Sequence, residues 1–151
     1  MDYRFLLLIH ILSATIMIGT GLGSAYYLYA TYSNKSVRTL AHVLKFVIKA
    51  DWIFTTPAIV IQFVTGWLLS DILKLLHTDW LILVLFVSGV VMCTWLWAVK
   101  LQIEMRDRLK KEGAITARID AMMRLWVLLG VVAFSGSMYL YYLMVYKPFI
   151  N

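Results

Sequence analysis

The sequence predicts an all-α membrane protein in which four transmembrane helices form one bundle. Two observations support this fold class. The 151 residues are 62% hydrophobic with a mean hydropathy of +0.82, whereas soluble domains are roughly half apolar. The apolar residues also fall into four separate runs, and a helix that crosses a bilayer needs about 20 such residues. We expect one integral membrane domain over residues 1–151, with spans at about 5–30, 52–73, 80–99 and 125–146.

The basic residues are concentrated in two of the connections between the spans. Eleven Lys and Arg residues lie on the side that holds the first and third connections, and three lie on the other side: Arg4, Lys74 and Lys147. By the positive-inside rule, the basic side is cytoplasmic and both termini lie outside the cytoplasm. Acidic residues alternate with the basic ones, which argues against nucleic-acid binding. The predicted partner of the chain is the lipid bilayer.

The first helix carries the sharpest candidate for chemistry, His10, near its outer end. Its apolar run is too long for a signal peptide, so we interpret it as a spanning helix. An ionisable residue inside a span indicates a functional site by default, and neutral imidazole is a common ligand of haem iron. The alternative is a histidine that hydrogen-bonds to a serine or a carbonyl on a neighbouring helix. Gly19 and Gly23 have the small-xxx-small spacing that allows another helix to approach closely.

The second helix is predicted to begin near Ser36 and to run through Pro57, which lacks a backbone N–H and should kink it. Thr55 and Thr56 precede the proline, and their hydroxyls can hydrogen-bond to the carbonyls that it leaves free. Together with Gly66, Thr56 and Pro57 form the structural motif of this span. The helix is longer than the hydrocarbon core, so its first part should project into the cytoplasm.

Two groups of polar residues lie where that projection meets the membrane. Asp51 should have a basic partner, and the candidates are Lys49, Lys100 and Arg124. His42, Lys45 and Lys49 line one face at helical spacing. This face can bind an anionic headgroup or a propionate, and the alternative is a face that is merely solvated.

The third helix should have Asp79 as its N-cap and extend past its span to Gly113, a natural helix stop. Acid-to-base pairs at i, i+4 support this extension: Glu104–Arg108 and Asp107–Lys111. The fourth helix should begin near Thr116 and end at Lys147-Pro148, because proline disfavours helical geometry in the residue before it. Gly130 and Gly136 give it a face of small residues.

A haem bound by two protein ligands would need a second ligand at the depth of His10. Met138 should lie at that level and is the candidate axial thioether, although a methionine there can equally be part of the core. Arg4 is a further candidate for cofactor binding. No CxxCH motif is present, which excludes c-type haem. The single cysteine, Cys93, is interpreted as small apolar filler.

Several segments resemble a bacterial family of four-helix integral membrane proteins of unknown function. These segments are LLIHILSATIMIGTG, ADWIFTTPAIVIQFVTGWLL, WLWAVKLQIEMRD and LMVYKP, and the resemblance covers nearly the whole chain. The family is distantly similar to HemJ-type protoporphyrinogen oxidases and to CopD-like membrane domains. The resemblance to HemJ is carried by His10 in the first helix, and by Thr56-Pro57-Ala58 and Gly66 in the second. It implies b-type haem and porphyrinogen oxidation, whereas the resemblance to CopD implies copper handling.

The sequence therefore predicts a protein of the bacterial inner membrane that binds b-type haem or a porphyrin, with His10 as an axial ligand. The main alternative is a non-enzymatic protein, either a homo-oligomer or a subunit that docks a membrane partner or handles a small solute. Copper binding by His10 and nearby methionines is a third interpretation. Whether the chain is an enzyme is left open.

Overall fold

The computed structural model describes residues 2–148 and confirms an all-α bundle. Helix α1 spans Tyr3–Ser33, α2 Val37–Ala50, α3 Thr56–Ile72, α4 Asp79–Glu112 and α5 Ala117–Tyr146. A π-helical turn, Asp51–Thr55, joins α2 to α3, so that Val37–Ile72 is one continuous 36-residue helix. Each of the four long helices has the length and composition to cross a membrane. Each extends beyond its apolar run on the side of residues 34–36 and 113–116, where the helices end at Ser33 and Glu112 and begin at Val37 and Ala117.

The helix ends follow the expected capping residues with one exception. Ser36 caps α2 by accepting a hydrogen bond from the backbone N–H of Thr39. Gly113 ends α4 in the left-handed conformation, with φ +65°, and its N–H donates to the Leu109 carbonyl. The prediction of Asp79 as the N-cap of α4 is wrong, because Thr78 holds that position and accepts from the Leu81 N–H. Asp79 instead lies in the first helical turn, where its negative charge interacts favourably with the positive end of the helix dipole.

The helices pack as two antiparallel pairs that α2 joins at one end. Helix α1 lies along α3, and α4 lies along α5. Helix α2 packs against both α1 and α4, and therefore lies between the two pairs. We call the end that contains α2 and residues 113–116 the basic end. The opposite end, with both chain termini and residues 73–78, is called the terminal end.

The buried core is concentrated at the basic end. Its larger cluster contains Leu28 of α1, Leu40 and Leu44 of α2, Met105 of α4 and Met123 of α5, each at most 1% exposed. A smaller cluster at the terminal end surrounds Leu143, Trp80 and Leu81. Most large apolar side chains elsewhere on the long helices point outward. Such a distribution suits a bilayer, where hydrocarbon tails solvate apolar side chains as well as a protein core does.

The small residues are used at one of the predicted contacts and not at the others. A Cβ on Gly136 would lie 2.6 Å from Val91 Cγ2, so α5 approaches α4 closely there because this residue is glycine. Among residues 2–148, Gly19, Gly23 and Gly130 have no such neighbour within 4 Å. The predicted close approach at these three positions is therefore not formed within the described part of the chain.

The charged part of α4 is held by ion pairs along the helix. Arg108 bonds to Glu104 at 2.9 Å, as predicted, and also to Glu112 at 3.2 Å. The predicted pair Asp107–Lys111 is not formed, because Asp107 bonds to the neighbouring Arg106 at 2.8 Å. These pairs are exposed to solvent, which screens them and keeps their contribution to stability small.

Candidate functional site

The imidazole of His10 lies between α1 and α3, with both ring nitrogens hydrogen-bonded. Nδ1 lies 2.8 Å from the Thr65 hydroxyl, and Nε2 lies 2.9 Å from Nε2 of the Gln62 amide. Ser13 joins the cluster from α1, with its hydroxyl 2.5 Å from Gln62 Oε1. We call these four residues the His10 cluster. Each helix contributes two side chains that are three residues apart and therefore lie on one face, and the two faces meet.

The direction of these hydrogen bonds defines the state of the imidazole. The Thr65 hydroxyl donates to the Ile61 carbonyl at 2.6 Å, and so it accepts from Nδ1. The Gln62 amide nitrogen can only donate, so Nε2 of His10 must accept. The ring is therefore neutral, with its proton on Nδ1 and its lone pair on Nε2. Neutral imidazole is the form that binds a metal, through the lone pair that here accepts the hydrogen bond from Gln62.

Gly66 allows the ring to lie against α3. A Cβ at this position would lie 3.1 Å from Cε1 of His10, which is tighter than an ordinary contact. Beside the cluster, α1 and α3 enclose an open apolar groove of about 220 Å³. Ser13, Pro57 and Ala58 are among the residues that line it. Of the predicted motif residues, Gly66 therefore contacts His10, whereas Pro57 lines the groove beside Ser13 and is not in contact with the imidazole.

The predicted kink at Pro57 falls where the hydrogen-bond pattern of the helix changes. The chain passes from α2 to α3 through the π-helical turn Asp51–Thr55, with Pro57 in the first turn of α3. The Thr56 hydroxyl donates to the Asp51 carbonyl at 3.0 Å. This carbonyl also accepts the backbone N–H of Thr56, so it is not one that Pro57 leaves free. Thr55 was also expected to donate to a freed carbonyl and does not, because its hydroxyl donates to the Asp51 carboxylate at 3.0 Å.

Asp51 is the centre of a second polar cluster, and none of the expected basic partners belongs to it. Its carboxylate is 5% exposed and makes no ion pair within residues 2–148, so the expected partners Lys49, Lys100 and Arg124 are wrong. Oδ1 accepts from Thr55 and, at 3.4 Å, from the Trp95 indole N–H. Neutral donors from two elements thus replace the basic residue.

Gln102 connects this carboxylate to α5. Its amide nitrogen donates to Asp51 Oδ2 at 3.1 Å, and its amide oxygen accepts from the Trp126 indole N–H at 3.1 Å. The Trp126 N–H can only donate, so it determines which way the amide points. We call Asp51, Thr55, Trp95, Gln102 and Trp126 the Asp51 cluster. Sequence reasoning missed Gln102 and Trp126, although a glutamine among the apolar positions 98, 101, 105 and 109 was a usable signal.

The other predicted ligands lie apart from these clusters. Met138 on α5 is 39% exposed, and Arg4 is exposed, with its backbone N–H bonded to the capping residue Asp2. Cys93 and His42 are also exposed. Across residues 2–148, no group of three or more His, Cys, Asp or Glu side chains is placed to hold a metal ion. Met138 and Arg4 as cofactor-binding residues stay predictions.

Comparison with known proteins places the chain in a membrane family. The family described as a predicted integral membrane protein, DUF2269, matches residues 4–148. The chain belongs to this family. No curated protein and no solved structure matches the chain. The match includes both polar clusters and all four spans, while the similarity to HemJ-type and CopD-like proteins stays a prediction.

Proposed function

We propose that this DUF2269 protein binds b-type haem or a porphyrin in the membrane, with His10 as the axial ligand through Nε2. The observation that carries the proposal is the hydrogen bond from Nδ1 to Thr65. Ligating histidines usually donate their second ring N–H to a fixed acceptor, which orients the ring and raises the basicity of the ligating nitrogen. Thr65 is such an acceptor, because its own hydroxyl hydrogen is used by the Ile61 carbonyl.

The cluster fits one axial ligand and requires one side chain to move. The Gln62 amide donates to Nε2 and has to leave before this nitrogen can bind iron. Gln62 is half-buried, and its side chain has rotamer freedom that a backbone group lacks. Met138 remains the candidate for the second ligand, and Arg4 for a propionate. Haem bound in this way would supply one-electron redox chemistry.

The experiment is an absorption spectrum of the detergent-purified protein, oxidised and dithionite-reduced, from haem-replete cells. We expect a Soret band that His10→Ala abolishes or shifts and that His77→Ala leaves unchanged, because His77 is exposed in a connection. Gln62→Ala should retain or strengthen haem binding, since it removes the competing donor. Colourless wild-type protein that also fails to take up added haemin would refute the proposal.

A non-enzymatic membrane subunit is the second candidate, and the structure contains one observation in its favour. Both nitrogens of His10 are satisfied without any ligand, which is the arrangement of a histidine that only joins two helices. Purification of a colourless protein with a stoichiometric second subunit, or as a homo-oligomer, would support this function. Metal analysis separates the copper interpretation from both, because copper bound at His10 would be present without a Soret band.

We also propose that the basic end faces the cytoplasm of a bacterium and that both termini face outward across the inner membrane. The support is the excess of Lys and Arg at the basic end, eleven residues against three. Fusions of alkaline phosphatase and of green fluorescent protein to the C-terminus test this assignment. We expect the alkaline phosphatase fusion to be active and the green fluorescent protein fusion not to fluoresce. An inactive phosphatase and a fluorescent fusion would show that the orientation is the reverse.

A further inference from the structure

The outer face of α2 carries only positive charge. The helix Val37–Ala50 contains no acidic residue, and its apolar side is buried against the bundle. Its opposite side presents Arg38, His42, Lys45 and Lys49, all of them exposed. We call these four residues the α2 basic face. Their spacings of four, three and four residues place them in one stripe along the helix.

Arg38, Lys45 and Lys49 of this face have no carboxylate partner among the described residues, whereas four of the other eight Lys and Arg residues at the basic end do. Lys35 pairs with Asp120 at 3.3 Å, and Arg118 lies 3.7 Å from Glu104. Arg106 and Arg108 are also paired within α4. Within the part of the chain that the structure describes, the α2 basic face makes no ion pair. Its charge is therefore available to an anion from outside the chain.

The position of the face relative to the membrane indicates what that anion is. Trp52 is 61% exposed and begins the apolar run that continues into α3, so it marks the membrane boundary. Because the helix is continuous, Lys49 and Lys45 lie only about 5 Å and about 10 Å before Trp52 along the axis. Phe46 is 54% exposed on the same side and contacts His42 edge-on. This depth is that of phospholipid headgroups.

We propose that the α2 basic face binds the headgroup phosphate of an anionic phospholipid in the adjoining leaflet. Of the charges on this face, those of Lys45 and Lys49 lie nearest the membrane, and Arg38 extends the stripe by two turns. Basic clusters directly next to a span attract anionic lipid electrostatically. Each lysine near the membrane surface contributes about 1 kcal/mol, so two lysines together raise the affinity about 30-fold. The attraction falls with ionic strength. This inference does not depend on haem binding at His10.

The test uses the full chain in nanodiscs of phosphatidylcholine, titrated with fluorescent phosphatidylglycerol. We expect the double variant Lys45→Gln/Lys49→Gln to bind about 30-fold more weakly than the wild type, with a smaller dependence on salt. The control is Lys110→Gln/Lys111→Gln. It removes the same charge from exposed lysines that are also free of ion pairs among residues 2–148, but lies further from the membrane.

The proposal requires that the control bind like the wild type. Equal losses in the two double variants would overturn it, because the attraction would then depend on net charge alone. Displacement of the lipid by millimolar inorganic phosphate would also overturn it, since the face would then be a site for free anions. Circular dichroism of each variant establishes that all of the compared proteins are folded.

Discussion

The sharpest prediction concerns the Asp51 cluster, in which Asp51→Asn should destabilise the bundle although it removes a buried charge. Both carboxylate oxygens accept hydrogen bonds, Oδ1 from Thr55 and Trp95 and Oδ2 from Gln102. Asparagine keeps the shape but replaces one acceptor by an NH₂ group, which can only donate. One of the two sides of the side chain must then present a donor to a donor.

Rotation of the amides moves this conflict and does not remove it. If the new NH₂ faces Gln102, that amide can turn its oxygen toward Asn, but its own NH₂ then meets the Trp126 N–H. If the new NH₂ faces the other side, it meets the Trp95 N–H. Each orientation leaves one indole donor without an acceptor. An unsatisfied buried donor costs about 1–3 kcal/mol, and we expect Asp51→Asn to lower the free energy of unfolding by that amount.

The assay is a double-mutant cycle of Asp51→Asn with Trp126→Phe, measured by SDS-induced unfolding in mixed micelles and followed by circular dichroism. Without the Trp126 N–H, Gln102 is free to turn its oxygen toward the asparagine. The cost of Asp51→Asn should therefore fall toward zero in the Trp126→Phe background, with a coupling energy of about 1–3 kcal/mol. The same cost in both backgrounds would refute this reasoning, and so would an Asp51→Asn variant as stable as the wild type.

Two further predictions concern packing and charge at other positions. Gly136→Ala should destabilise the α4–α5 pair by about 1–2 kcal/mol, because its Cβ would clash with the stiff Val91 side chain, and Val91→Ala should restore stability in the same SDS assay. The pKa of Lys35 is raised, mainly by the Tyr32 hydroxyl and to a smaller extent by Asp120. The stability that the charged lysine contributes is therefore fully present below its ordinary pKa and is lost as the pH rises through the raised pKa. Melting temperatures between pH 8 and about pH 11 should therefore fall less steeply in Tyr32→Phe than in the wild type, and parallel curves would contradict the assignment.

The sequence was sufficient for the fold class and most helix ends because those depend on composition and local signals. Four apolar runs predicted four long helices, and Ser36 and Gly113 had the capping chemistry expected of them. The N-cap of α4 was missed by one residue, since Thr78 and Asp79 are both good caps and periodicity does not separate neighbours. The sequence predicted that some glycines would allow helices to approach closely. It did not predict which glycines these are, because that depends on which faces of the helices meet.

The candidate site was predictable in part for the same reason. His10 stood out because an ionisable residue in a span is rare, but its partners Gln62 and Thr65 follow only once α1 and α3 are known to be antiparallel neighbours. The expectation of a basic partner for Asp51 failed because it considered charge alone. Indole and amide N–H groups satisfy a buried carboxylate without bringing a second charge that must also be desolvated.

The two polar clusters have different relations to the helix pairs, and this difference separates their roles. The His10 cluster lies within one pair, α1 and α3, so a change in it can occur without moving α4 or α5. The Asp51 cluster connects the π-helical turn to α4 and, through Gln102, to α5. A substitution at Asp51 should therefore affect the stability of the whole bundle. The Gln62 side chain, in contrast, can move away from Nε2 of His10 without displacing α4 or α5. A ligand held by His10 alone should accordingly alter absorption without altering unfolding of the α4–α5 pair, whereas a cofactor that also binds Met138 of α5 should alter both.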